Sequence, residues 1–150
     1  MNIHSIARRW GASAVFGVLA LTACGGGSDD GVATNKAEWE ERHGAAVAAV
    51  STDLDQAQQA LSGGQRQLII SACTQLQEDL VEARKALPVP NPSVDGALRS
   101  ALDAIEAGVP DCLDGARIAN QAHITETAIA EFRDARPKMD EANRAIAEWS

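Results

Sequence analysis

Tyrosine is absent from this 150-residue chain, and two phenylalanines and three tryptophans are its only other aromatics. A core of stacked rings is therefore excluded, and the interior has to be filled by Ala, Leu, Val and Ile. No stretch alternates apolar and polar residues at period 2 with Val, Ile, Thr or aromatics, so no β-sheet pattern is present. Basic residues are scarce, 13 Lys and Arg against 21 Asp and Glu, for a net charge of -8. Phosphate backbones demand concentrated Lys and Arg, which argues against a nucleic-acid partner. The same imbalance disfavours close adsorption to anionic lipid. No run of apolar residues reaches the roughly 20 needed to span a bilayer as a helix.

Recognisable catalytic motifs are also missing. Ser51, Ser62, Ser71 and Ser100 lie in or beside helical stretches without a Gly-x-Ser-x-Gly turn. Gly63-Gly64 lacks the following Gly-Lys-Ser/Thr that would cradle phosphate. Asp53 and Asp55 are two residues apart and cannot face each other on one helix. These absences read as a non-enzymatic protein, and no cofactor is implied.

What is present begins at the N-terminus. Arg8 and Arg9 precede any acidic residue, Ala12 to Ala23 is a short apolar run, and "CGGGSDDG" follows. That order matches a secretory signal of residues 1–23. The four residues Leu21-Thr22-Ala23-Cys24 resemble the lipobox of bacterial lipoproteins. The resemblance implies cleavage before Cys24 and transfer of a diacylglyceryl group to its thiol, with palmitate a typical acyl chain. Each buried methylene contributes about 0.8 kcal/mol, so two or more chains hold stably where one does not. The expected location is the extracytoplasmic face of a cell membrane, anchored by lipid. The Arg8-Arg9 pair alone is a weak twin-arginine signal, because Trp10-Gly11-Ala12 does not extend it.

Loss of residues 1–23 removes two arginines and no acids, leaving 13 − 2 = 11 basic and 21 acidic residues. Residues 24–35 then read as the lipidated cysteine and a flexible tether. Its eleven residues beyond Cys24 span about 5–6 Å × √11, under 20 Å. The folded body is expected at 36–150.

Within that body the apolar residues recur at spacings of three and four. Trp39, His43, Val47, Val50, Leu54, Ala57 and Leu61 form one helical stripe, capped by Thr34 or Asn35 and stopped by Gly63-Gly64. Ile69, Cys73, Leu76, Leu80, Ala83 and Leu87 form a second, ending in "PVPNPS". Asn91-Pro92 is a cap and first-turn pair for a third helix, with Val94, Leu98, Ala101 and Ile105, expected to stop at Gly108-Val109-Pro110. Asp111 is expected to cap a fourth, with Ala119, Ala122, Ile129, Phe132, Met139, Ala142, Ile146 and Trp149 along it. Pro137 predicts a kink or break near Arg136. The fold class is all-α, an up-and-down four-helix bundle with a kinked fourth helix.

With Cys24 taken by lipid, Cys73 and Cys112 remain as a pair in an oxidising compartment, and a disulfide is expected. Helix lengths agree. About 20 Å of helix leads from Cys73 to Ala86, and the third helix returns about 24 Å. The body, with Trp39, His43-Gly44, Cys73, Leu76, Pro88, Pro90, Pro92 and Cys112, also resembles a group of uncharacterised secreted helical proteins of actinobacteria. That resemblance implies a helical fold and no particular activity.

One constellation carries possible chemistry. Glu40 and His43 form a Glu-x-x-His, and His123 with Glu126 gives the reverse order. Di-iron bundles use such pairs, so the four side chains are candidate metal ligands if the first and last helices bring them together. Trp39 and Trp149 are expected to anchor the core at the bundle ends, or else to offer an exposed aromatic to a partner. The function expected is that of a cell-envelope lipoprotein acting as a non-enzymatic interaction module, with an envelope protein as partner. Metal binding is the alternative from a different class. Size, anchor and helicity are also similar to those of prophage-type superinfection-exclusion lipoproteins.

Overall fold

The computed structural model describes residues 33–117 and 122–150, the side chains of 122–124 excepted. The expected signal segment, Cys24 and most of the expected tether fall outside these residues. Helix α1 (Lys36–Trp39) starts where the sequence placed it. The Asn35 Oδ1 accepts the Glu38 N–H at 3.1 Å, and the Glu38 carboxylate in turn accepts the Thr34 N–H at 2.9 Å. These bonds satisfy donors that a helix start leaves open.

A π-helical turn (Glu40–Gly44) then joins α1 to α2 (Ala45–Gly63) without a break in helical backbone. Its cause lies in the stripe. Trp39 to His43 to Val47 is two successive steps of four, which in an α-helix drift by about 80°. A π-turn inserts one extra residue and cancels most of that drift. Trp39 and Val47 consequently both reach the core, at 1% and 2% exposure. Gly64 ends α2 in the left-handed region at φ 67°, its N–H bonded to the Ala60 and Leu61 carbonyls.

Helix α3 (Arg66–Arg84) buries Ile69, Cys73, Leu76, Leu80 and Ala83. The proline-rich turn follows, with Leu87 beyond the helix and only partly buried. The Asn91 Oδ1 accepts the Ser93 and Val94 N–H groups at 2.9 and 3.2 Å, capping α4 as expected. Helix α4 does not stop at Gly108-Val109-Pro110. It runs from Pro92 to Arg117, so Asp111 is an interior residue and caps nothing. Pro110 removes one backbone bond, at about 3 kcal/mol, but it sits on the exposed face. Val109, Cys112, Leu113 and Ala116 continue the buried stripe beyond it, and their burial offsets the loss.

The fourth rod, α5 (Ala122–Glu148), also runs unbroken through its proline, with Pro137 exposed between buried Ala135 and Met139. Of the kink or break expected near Arg136, the break is not found. Ala128, Phe132, Ala135, Met139 and Ala142 form its core face, while Ile129, Ile146 and Trp149 pack at the core's edge. Ala119 and the Ala122 side chain, placed on this stripe from the sequence, lie outside the described residues.

Four rods, α1–α2, α3, α4 and α5, close into an up-and-down ring. Gln58 Nε2 donates to the Phe132 carbonyl at 2.8 Å, and Lys36 Nζ to the Trp149 carbonyl at 2.6 Å, so α5 runs antiparallel to α1–α2. Arg66 of α3 donates to the Arg117 carbonyl at the end of α4. The Cys73–Cys112 disulfide, with both residues fully buried and Cα atoms 6.2 Å apart, ties α3 to α4.

Candidate functional site

The first region of interest lies where α1, the π-turn and the end of α5 meet. Trp39 fills this end of the core, and its Nε1–H donates to the Ala86 carbonyl at 2.9 Å. Trp149 leans on it at 5.8 Å between ring centroids, and His43 at 6.2 Å. Trp39 is thus the core anchor expected, whereas Trp149 is half-exposed. Burial first, and the charge of Arg42 second, hold the His43 imidazole below its ordinary pKa. Neutral at pH 7, it is chemically able to accept or donate one hydrogen bond or to ligate.

Glu40 is exposed on the same turn, 3.8 Å from the Lys36 ammonium. Glu126 is exposed on α5, 149 − 126 = 23 residues before Trp149, which puts it about 35 Å down the helix. His123 lies three residues further on, its side chain outside the described set. The Glu40/His43 and His123/Glu126 pairs therefore sit at opposite ends of the bundle and do not assemble. Among the described residues no group of three or more His, Cys, Asp or Glu is placed to hold a metal. The expectation failed because the fourth helix starts at Ala122, one full helix length from the π-turn.

The second region is the seam between α2 and α3. On its outer side runs an open groove of about 720 Å³, lined by Gln56, Gln59, Gln65, Leu68, Ser71 and Gln75 over a floor of Ala60, Gly63 and Ala72. Among the described residues no charged side chain lines it, in a chain in which 23% of residues are charged. The lining offers amide and hydroxyl groups able to donate and accept, and Leu68 stands 53% exposed at its side.

The same seam holds a feature that spacing along the chain concealed. Asp53, an interior residue of α2, is buried at 7% exposure and meets Asp79 of α3. Burial, then the hydrogen bond and charge of Asp79, push its carboxyl up to about 6. Asp79 is held low by its bonds with Asp53 and with Gln75, whose Nε2 donates at 3.0 Å. Asp55, by contrast, is exposed and pairs with Arg136 of α5. A second acid contact lies across α4–α5, where burial and then Asp111 raise the pKa of the Glu131 carboxyl. Elsewhere, Arg84 spans Asp103, at 2.6 Å, and Glu106 on the exposed side of α3–α4.

Among the described residues no helix is long and apolar enough to cross a membrane. No protein-family model, curated protein or solved structure matches this chain.

Proposed function

We propose that the chain is a lipid-anchored protein of the cell envelope, attached through Cys24 to the extracytoplasmic face of a membrane. Its helical body serves as a non-enzymatic interaction module for another envelope protein. The anchor rests on the order of charge, apolar run and Leu21-Thr22-Ala23-Cys24, which resembles a lipobox. One structural observation supports the module. The chain enters the bundle at Ala33, nine residues after Cys24 (33 − 24 = 9), at the Trp39 end. The uncharged α2–α3 groove reaches Gly63 and Gln65 at the other end, about 36 Å of helix away from Trp39. A short tether would keep the first end near its membrane and leave the groove facing outward.

Intact mass of the protein recovered from bacterial membranes tests the anchor. Loss of residues 1–23 with acyl mass on Cys24 is the expected result, and an unmodified full-length chain overturns it. A photo-crosslinker at Leu68 tests the module, with one at Glu126 as control. A discrete protein adduct from Leu68 alone is expected, and equal or absent labelling at both positions overturns the groove as a partner face.

A further inference from the structure

Between Val50 and Leu54 the α2 stripe buries a carboxyl, Asp53, where an apolar residue would ordinarily sit. Its Oδ2 is shut off from solvent. When both acids are ionised that oxygen has no hydrogen-bond partner, because a carboxylate cannot donate. A proton held between Asp53 and Asp79 lets one carboxyl donate to the other, and Gln75 Nε2 also donates to the Asp79 Oδ2 at 3.0 Å. Two ionised carboxylates in contact at a half-dry seam are strongly disfavoured.

We propose that Asp53 and Asp79 form a proton-operated latch between α2 and α3, closed in mildly acidic surroundings and loosened as the surroundings turn neutral. The proposal stands whether or not Cys24 carries lipid. It reaches the neighbouring groove through Gln75, which both lines that groove and holds Asp79.

The charged groups around the pair leave it isolated. From α3, Asp79 is the titratable group against Asp53. From α5, Arg136 turns to Asp55, Asp140 and the Ser51 carbonyl, on the other side of α2. Glu40, Glu41, Arg42 and His43 of the π-turn begin ten residues away (53 − 43 = 10), about 15 Å up the helix. Among the described residues no cation pairs with Asp53 or Asp79, so the proton neutralises the second charge.

The sign follows from the raised value. The Asp53 proton contributes stability that is complete below its ordinary pKa of 3.8 and lost as pH rises through about 6. The lowered Asp79 acts in the opposite sense, but only at the acid end, where its own stabilisation is lost as pH falls below the ordinary carboxylate range.

The test is urea unfolding of the full chain, disulfide intact, at about pH 5 and about pH 7.5, with Asp53→Asn beside it. In the wild type the unfolding constant rises with pH across that window, by roughly tenfold. Asp53→Asn, whose amide donates to Asp79 without a proton, removes most of that rise. Asp79→Asn does the same and serves if Asp53→Asn fails to fold. Carboxyl NMR is expected to place the Asp53 midpoint near 6. An equal pH slope in wild type and both variants, or an Asp53 midpoint near 4, overturns the latch. So does stabilisation by Ca²⁺ at neutral pH that Asp53→Asn abolishes, since the pair would then be a cation site.

Discussion

Gly108 of α4 lies directly under Phe132 of α5, so close that a Cβ at Gly108 would fall 2.7 Å from the ring's Cε1. The contact sets the spacing of the α4–α5 pair, and it recurs seven residues on, where a Cβ at Gly115 would meet Thr125 Oγ1 at 2.9 Å. Small residues here let two helices approach that side chains would hold apart.

The same helix therefore gives two alanine substitutions of opposite sign. Gly108→Ala should destabilise by about 1–3 kcal/mol, because the ring is fully buried and its displacement strains the packed core. Gly96→Ala has nothing within 4 Å of the new Cβ and should stabilise by about 0.4–1 kcal/mol through the unfolded chain's lost freedom. Urea denaturation midpoints of the two variants check both. If Gly108→Ala were neutral, the close approach of α4 and α5 would not hold.

The Cys73–Cys112 bridge closes 39 residues, worth about 4 kcal/mol in the chain-entropy model. Cys73→Ala combined with Cys112→Ala should lower stability by about 2–4 kcal/mol and leave a protein indifferent to reductant. Wild-type protein should lose a similar amount on reduction. A double variant as stable as the oxidised wild type would mean that the Ala-rich core suffices without the staple.

Trp39 combines two contributions that one substitution separates. Trp39→Phe keeps an aromatic ring in the core but removes the Nε1–H donor, leaving the Ala86 carbonyl without that partner. An orphaned buried acceptor costs about 1–3 kcal/mol, so the variant should fold with reduced stability. Near-UV circular dichroism would report the retained packing, and thermal unfolding the loss. A loss near zero would show that water reaches the Ala86 carbonyl.

These features were unequally visible in the chain. The Asn35 cap, the Gly64 stop, the Asn91 cap and the stripes of α2 and α3 are local signals, and local bonds realise them. The Cys73–Cys112 pairing followed from elimination and helix lengths, and both survive a change in where α4 ends. Gly108-Val109-Pro110 misled because glycine and proline each have a second use. Gly108 is absent side-chain volume for Phe132, and Pro110 is tolerated on the exposed face of α4. The continuing stripe Ile105, Val109, Cys112, Ala116 was the stronger signal. The two steps of four after Trp39 foreshadowed the π-turn. Nothing in the spacing could pair Asp53 with Asp79, since the register of α2 against α3 alone makes them neighbours. The proposed metal quartet failed for the converse reason, each pair being local and the distance between them topological.

His43 supplies a pH dependence opposite in sign to that of Asp53. Packed on Trp39 and lowered in pKa chiefly by burial, its imidazole is held neutral in the folded state. It therefore contributes stability present above the ordinary value near 6.5 and lost as pH falls through the lowered folded value. His43→Gln removes that titration, so relative to wild type it should gain stability as pH falls from about 7 to about 5. Imidazole NMR should place the His43 midpoint below 6.5. A midpoint at or above 6.5 would mean that the Trp39 face does not shield the ring. Because the two slopes oppose, the wild-type rise with pH is smaller than Asp53 alone would give. The double variant Asp53→Asn with His43→Gln separates them. Each single substitution should expose the other group's slope, and the pair together should flatten both.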